Sequence, residues 1–151
     1  MSSILSFPGD ESSERLGRLY GRVYRRWRRY VDDAFRDEGF TEATRAPLVL
    51  LHDLGQPVRQ KDLAEELGLE PSALVRVVDV LAERGLVTSA VDPADRRGKL
   101  VSLTEAGQET AARIVARVME IEKSLFRDVS EAELAALRSA LAKVLSRFST
   151  G

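Results

Sequence analysis

The chain has no cysteine, which removes a disulfide framework, thiolate metal ligation and a cysteine-based redox sensor together. Its single histidine, His52, cannot build a multi-histidine metal site within one copy, so no metal and no cofactor is expected. It also lacks a glycine-rich phosphate loop and a serine-centred nucleophile elbow. With no catalytic constellation present, an enzyme is not expected. No apolar run approaches the length needed to cross a bilayer. The opening Met1-Ser-Ser-Ile-Leu-Ser-Phe-Pro8 is too short for a signal peptide and has no basic leader. The expected location is therefore the cytoplasm, with no membrane partner. An excess of one charge is missing too: the net charge is −1, although many nucleic-acid-binding domains are strongly basic. Local fields matter more than totals, however, and the arginines cluster. Arg96, Arg97 and Lys99 form one group, and Arg15, Arg18, Arg22, Arg25, Arg26, Arg28 and Arg29 another.

What is present is a globular composition. Apolar residues make up 44% of 151 residues, which suits one domain with a core. Residues 1 to about 10 carry Ser, Pro and Gly and read as a loose arm. A first helix is expected from about Ser12 or Ser13 to Asp37. Its apolar positions Leu16, Leu19/Tyr20, Val23, Trp27, Tyr30/Val31 and Ala34/Phe35 fall at spacings of three and four, and Gly39 ends it. At about 24 residues it is twice the mean helix length, as helices that serve an interface often are. Thr41 or Thr44 caps a second helix. Pro47 fits readily in the first turn after Thr44, but would kink a helix begun at Thr41. Leu48, Leu50, Leu51 and Leu54 supply its core face. A third helix covers roughly Gln60 to Leu67, with Leu63, Ala64 and Leu67 inward. After the turn at Gly68, a fourth opens at Pro71-Ser72 and stops at Gly85, completing a helix-turn-helix. In that fourth helix Leu74, Val75, Val78 and Leu81 form the apolar stripe, leaving Ser72, Ala73 and Arg76 on another face.

Two apolar runs, Leu86-Val87 and Leu100-Val101-Ser102-Leu103, flank a polar tip built from Asp92, Pro93, Asp95 and Gly98. That pattern is a β-hairpin with a charged turn. A helix leading directly into a hairpin tipped with Arg96, Arg97 and Lys99 is the layout of a winged helix-turn-helix. The helix suits a major groove, and the tip an adjacent minor groove or the phosphates. Thr104 caps a fifth helix to about Asp128, with Ala111, Ile114/Val115, Val118, Ile121 and Leu125 on its stripe. Ser130-Glu-Ala-Glu133 is a capping box for a sixth, which carries Leu134, Leu137, Leu141, Val144/Leu145 and Phe148. The fold class expected is α+β, mostly α: a winged helix-turn-helix with long N- and C-terminal dimerisation helices. A single domain over 1–151 would divide into a DNA-binding lobe at about 44–103 and dimerisation helices at about 12–38 and 104–148. The terminal helices hold more apolar surface than one winged helix can cover. A homodimer resolves this, and sets two recognition helices one DNA turn (~34 Å) apart over a palindrome.

Four segments carry a family resemblance: Arg59-Gln-Lys-Asp-Leu-Ala-Glu-Glu-Leu-Gly-Leu69, Ser72-Ala-Leu-Val-Arg-Val-Val-Asp-Val-Leu-Ala-Glu-Arg-Gly-Leu86, Asp92-Pro-Ala-Asp-Arg-Arg97 and Leu103-Thr-Glu-Ala-Gly107. In order and spacing, from about residue 12 onward, the chain resembles the MarR family of bacterial transcriptional regulators. The Leu74-Val-Arg-x-x-Asp-x-Leu81 core and Arg25-x-Trp-Arg-x-x-x-Asp32 further resemble its SlyA-like branch. The resemblance implies an obligate homodimer that binds double-stranded inverted repeats in promoters and commonly represses. It also implies release by a small phenolic or aromatic carboxylate ligand between the dimerisation helices and the DNA-binding lobe. Members that sense oxidants use cysteines, so a non-covalent ligand is expected for this chain.

The resemblance and the residue chemistry together nominate DNA-binding positions. Arg97 corresponds to the arginine that enters the minor groove, where the negative potential of a narrow A·T tract suits a guanidinium. Asp95 corresponds to the residue that pairs with it and orients it. Arg96 either contacts phosphate or makes an ion pair within the domain, and Lys99 adds charge to the same tip. Ser72 can donate to phosphate near a helix N-terminus; the alternative is an N-cap or first-turn role, and both can hold. Arg76 can read guanine or clasp phosphate, or pair with Asp79 or Glu83. Ala73 shares their face. Gln60 and Lys61 can clamp the backbone or remain solvated. Trp27 and His52 are the candidate lining of a ligand pocket, each with an ordinary structural role as the alternative. Arg25, Arg28 or Arg45 could meet a carboxylate. The near-zero net charge leaves one competing function, a winged-helix protein-interaction module without DNA binding.

Overall fold

A computed structural model describes residues 14–149. The expected N-terminal arm and the helix start at Ser12 or Ser13 lie outside the described residues. Helix α1 runs Leu16–Phe35 and passes into a single 3-10 turn, Arg36–Glu38, which ends at Gly39. Then follow α2 (Glu42–Leu54), β1 (Val58–Arg59), α3 (Gln60–Glu66), α4 (Pro71–Glu83), β2 (Val87–Asp92), β3 (Asp95–Leu103), α5 (Glu105–Leu125) and α6 (Glu131–Phe148). The architecture is mostly helical, with one small antiparallel sheet of order β1-β3-β2, and is that of a winged helix-turn-helix. The chain forms two compact units, Met1–Ile114 and Val115–Gly151, and the division falls inside α5.

In the first unit the core gathers Val31 and Phe35 of α1, Leu48 and Leu51 of α2, and Leu63 of α3. Leu74, Val78 and Leu81 of α4, Val101 of β3 and Ile114 of α5 complete it. Two expected core residues stay outside: Leu54 at the end of α2 is 48% exposed, and Val75 on α4 is 42% exposed. Leu74, Val78 and Leu81 already span the buried arc of α4, and Val75 falls on its flank beside Arg76.

Helix α2 is capped at Thr41, a turn earlier than the argument from Pro47 favours. The Thr41 N–H donates to Thr44 Oγ1 at 3.0 Å, and the Thr44 hydroxyl donates back to the Thr41 carbonyl at 3.1 Å. Pro47 is therefore inside the helix, buried. Its missing N–H forfeits one backbone bond, and burial of the ring in the core offsets that loss. Two residues before it, Arg45 is buried with its guanidinium satisfied twice. Nη1 donates to Asp32 Oδ1 at 2.8 Å, Nη2 donates to Glu42 Oε2 at 3.0 Å, and the group lies 5.2 Å from the Phe35 ring centroid. A buried charge is tolerated only with such pairing, and the pairing locks α2 onto α1. Arg84, just past α4, makes a second clasp. It donates to the carbonyls of Glu38 and Gly39, both at 3.2 Å, and stacks 4.1 Å over Phe40.

The junction from β3 into α5 is the tightest place in this unit. The Thr104 hydroxyl donates to the Gly85 carbonyl at 2.6 Å and accepts from the Gly107 N–H at 3.0 Å, capping α5. The Thr104 N–H donates to the Leu86 carbonyl at 3.1 Å. A Cβ on Gly107 would stand 1.9 Å from that same Leu86 oxygen, so only glycine fits.

The second unit pairs the later turns of α5 with α6. The expected capping box is present: the Glu133 N–H donates to Ser130 Oγ at 3.2 Å, and the Ser130 N–H donates to Glu133 Oε2 at 2.8 Å. That backbone hydrogen bond holds the Glu133 carboxyl below the usual carboxylate range. Met119, Glu122, Lys123, Phe126, Leu134 and Arg138 line a hollow of about 340 Å³. None of the described residues of α6 is buried, and Leu137, Leu141, Val144, Leu145 and Phe148 lie bare. No helix among the described residues is long and apolar enough to cross a membrane.

Substituting Gly107 by Ala is expected to destabilise the protein by about 1–3 kcal/mol, the usual cost of overpacking a tight site. Urea denaturation checks this; an unchanged midpoint would show that α5 can simply slide. Arg45→Met, which leaves Asp32 and Glu42 facing no cation, is expected to lower stability in the same assay.

Candidate nucleic-acid interface

Helices α3 and α4 meet through Gly68, whose φ of 63° places it in the left-handed region that a side chain strains to enter. Leu69 then donates back to the Ala64 carbonyl at 2.9 Å, closing the turn. Helix α4 opens on Pro71 at its first position and has no side-chain cap. Ser72 is thus a first-turn residue rather than the cap, exposed with its hydroxyl beside the helix N-terminus. Arg76 is exposed one turn on, and among the described residues it pairs with neither Asp79 nor Glu83. Ala73 is half-buried on the flank of that face.

The wing is longer than its apolar runs suggest. Strands β2 and β3 pair from Val87↔Leu103 up to Val91↔Lys99, and then jump to Asp92↔Asp95. Pro93 and Ala94 make the turn, while Arg96, Arg97 and Gly98 have no register partner on β2. The irregularity swings this basic segment out of the ladder. The Arg97 side chain is 94% exposed. Asp95 Oδ1 accepts from the Arg97 backbone N–H at 3.1 Å and lies 3.6 Å from Arg97 Nε. Asp95 thus fixes the backbone at Arg97 firmly and its side chain loosely. Arg96 and Lys99 are exposed, and neither has an ion pair among the described residues.

A feature absent from the sequence reading joins the wing to the helix-turn-helix. The short strand β1 pairs with the inner end of β3 (Val58↔Val101, Arg59↔Leu100). Arg59, its last residue, is also the N-cap residue of α3. Arg59 Nε lies 2.7 Å from Oδ2 of Asp92, a carboxylate that is almost wholly buried. Arg59, Gln60, Lys61, Asp92, Asp95, Arg97, Gly98 and Lys99 line one hollow of about 170 Å³. The structure therefore brings Gln60 and Lys61 together with Asp95, Arg97 and Lys99. Ser72, Ala73 and Arg76 lie on the neighbouring α4, and Arg96 adjoins the hollow without lining it.

The candidate ligand residues are less concentrated. Trp27 is half-buried in α1 and His52 half-buried in α2, and neither lines either hollow. Arg45 is held by Asp32 and Glu42, which removes it from the arginines open to a ligand carboxylate.

Residues 44–98, spanning the helix-turn-helix and most of the wing, match the MarR family model. A MarR-family transcriptional regulator from Rhodococcus sp. RHA1 is 32% identical, with 87% of this chain and 96% of that one aligned at a TM-score of 0.79. The chain belongs to the MarR family. CouR from Rhodococcus jostii RHA1, solved with p-coumaroyl-CoA bound, is 29% identical over 90% of this chain and 95% of its own, at a TM-score of 0.77. Apo wild-type MarR from E. coli is 26% identical over 87% of this chain and 98% of its own, at a TM-score of 0.74. Members of the MarR family are transcription factors rather than enzymes, so the winged helix described above is the DNA-binding element of a transcriptional regulator.

Proposed function

We propose that this MarR-family protein is a homodimeric repressor of the SlyA-like branch that binds palindromic promoter DNA and is released by a small aromatic ligand. The observation that carries the DNA-reading geometry is the wing: Arg97 stands almost fully in solvent, held at its backbone by Asp95, beside Gln60, Lys61 and Lys99. In this reading Arg97 enters the minor groove, and Gln60, Lys61, Arg96 and Lys99 meet phosphates. Ser72, Ala73 and Arg76 present the major-groove face of α4. The low net charge is no obstacle, since local charge matters more than the total and Arg59, Lys61, Arg97 and Lys99 line one hollow.

Dimerisation is supported by bare apolar surface on both units. Leu16, Tyr20, Val23 and Tyr24 stand out from α1, and Leu137, Leu141, Val144, Leu145 and Phe148 from α6. Patches of this kind on a lone chain mark an interface. The proposed organisation is one domain, with a DNA-binding lobe at about 44–103 and dimerisation helices at about 12–38 and 104–148. DNA as partner fits a cytoplasmic location.

A relative solved with the CoA thioester of a phenolic acid supports an aromatic effector, with Trp27 and His52 as lining residues. Such a ligand acts by preferring a spacing of the two lobes that no longer matches the grooves, and shifts the equilibrium only by its differential affinity for the two spacings.

Arg97→Ala is expected to weaken binding to a selected duplex by about 10- to 100-fold at unchanged melting temperature. Wild-type affinity in the folded variant removes the minor-groove role. Leu141→Glu is expected to shift the dimer toward monomer in sedimentation equilibrium and to weaken DNA binding with it. Because Trp27 is the single tryptophan, titration with p-coumarate or its CoA thioester is expected to change its fluorescence. By reciprocity, the ligand should bind free protein more tightly than the DNA complex, by the factor with which it weakens DNA binding. Equal affinity for both forms refutes the release mechanism.

A further inference from the structure

We propose that Arg59 is a positioning residue for the wing: its ion pair with Asp92 ties the hairpin tip to the start of α3, so that the phosphate contacts of Gln60, Lys61 and Lys99 and the groove contact of Arg97 engage one stretch of DNA as a unit. The proposal rests on the DNA-binding reading of this lobe and adds to it a residue that does its work without reading a base.

The argument begins with Asp92. It occupies the last paired position of β2, and its side chain is only 6% exposed. Oδ1 accepts from the Ala94 N–H at 2.9 Å, which is all that the turn requires. Oδ2 has no aligned hydrogen bond among the described residues and faces Arg59 Nε at 2.7 Å. A carboxylate beside a DNA-binding surface is costly twice over, through desolvation and through repulsion of phosphate. An asparagine could serve the turn with no repulsion of phosphate and a smaller desolvation cost. The negative charge makes sense only through the cation it holds.

That cation comes from another element. Arg59 belongs to β1, on the opposite side of β3 from β2, so the ion pair spans the middle strand and joins the two outer ones. The backbone link it reinforces is slight: β1 pairs with β3 at Val58 and Arg59 alone. The ion pair also sits where the β2–β3 ladder has lost register, at the base of Arg96–Gly98. The next residues after Arg59 are Gln60 and Lys61, which line the same hollow as Arg97 and Lys99. Release of the pair would free the tip to swing away from α3 while leaving every candidate DNA contact chemically intact.

The test uses full-length protein and a duplex selected by the wild type, comparing Asp92→Asn, Arg59→Gln, the double variant and Arg59→Lys. Asp92→Asn removes a negative charge, so electrostatics alone predicts tighter binding. Positioning predicts weaker binding, by about tenfold, with a similar loss in Arg59→Gln and no further loss in the double variant, as coupled residues behave. Arg59→Lys should retain most of the affinity. Wild-type or tighter binding by Asp92→Asn overturns the proposal. If Asp92→Asn does not fold, Arg59→Gln decides through its salt dependence. An unchanged log–log slope at reduced affinity supports positioning; a slope flattened by about one unit marks Arg59 as a phosphate contact and overturns it. A wild type that enriches no duplex overturns the DNA-binding reading beneath the proposal, whereas the Asp92→Asn result at normal wild-type binding bears on the proposal alone.

Discussion

Between the end of α4 and the start of α5 there is room for a hydrogen atom and not for a methyl group. The Leu86 carbonyl that receives the Thr104 N–H presses against the α-carbon of Gly107, and the Thr104 hydroxyl reaches the Gly85 carbonyl beside it. Recognition helix, outer wing strand and α5 converge at this point, because β2 leaves from Leu86 and β3 returns at Leu103. Three elements that must hold fixed angles to one another are therefore joined through a handful of backbone atoms. The Leu-Thr-x-x-Gly sequence is the chemical description of that joint: a threonine that bonds in two directions, and a glycine where a helix meets a carbonyl.

Two arginines carry out the same task at the other side of the first unit by different means. Arg45 is buried and needs two carboxylates to be tolerable there. Arg84 lies at the surface, bonds to carbonyls at the end of the 3-10 turn and covers Phe40. Arginine suits both places because its planar fork can meet several acceptors and a ring face at once. Arg45 thus fixes α2 to α1, and Arg84 fixes the end of α4 to the turn that follows α1, so the helix-turn-helix is braced by side chains that are not among its candidate DNA contacts.

Much of this was legible from residue order alone. Helical periodicity located all six helices, Gly39, Gly68 and Gly85 marked their ends, and Ser130-x-x-Glu133 announced α6. Two apolar runs around a polar, basic tip marked the wing, and the family motifs agreed with it. What escaped depends on partners distant in the chain. Strand β1 is two residues long and has no periodicity to detect; it exists because Val101 and Leu100 lie alongside it. Pro47 argued for a later start to α2, but local steric preference yielded to burial of its ring. Val75 reads as one more member of an apolar stripe, until Leu74, Val78 and Leu81 fill the available arc. At the interface, the proximity of Gln60 and Lys61 to the wing was not visible, and neither was the pairing of Arg59 with Asp92. Ion pairs between separate elements leave no spacing signature.

The wing tip divides labour along a single hairpin. Below Val91 and Lys99 the two strands are zipped in regular register, and above them Arg96, Arg97 and Gly98 answer to no partner on β2. The ladder that stabilises the hairpin and the segment available for recognition are thus nearly independent. Such a tip can be lengthened, shortened or recharged over generations without re-registering the strands beneath it. A regulator built this way can acquire a new DNA preference through changes at the hairpin tip while its folding problem stays the same.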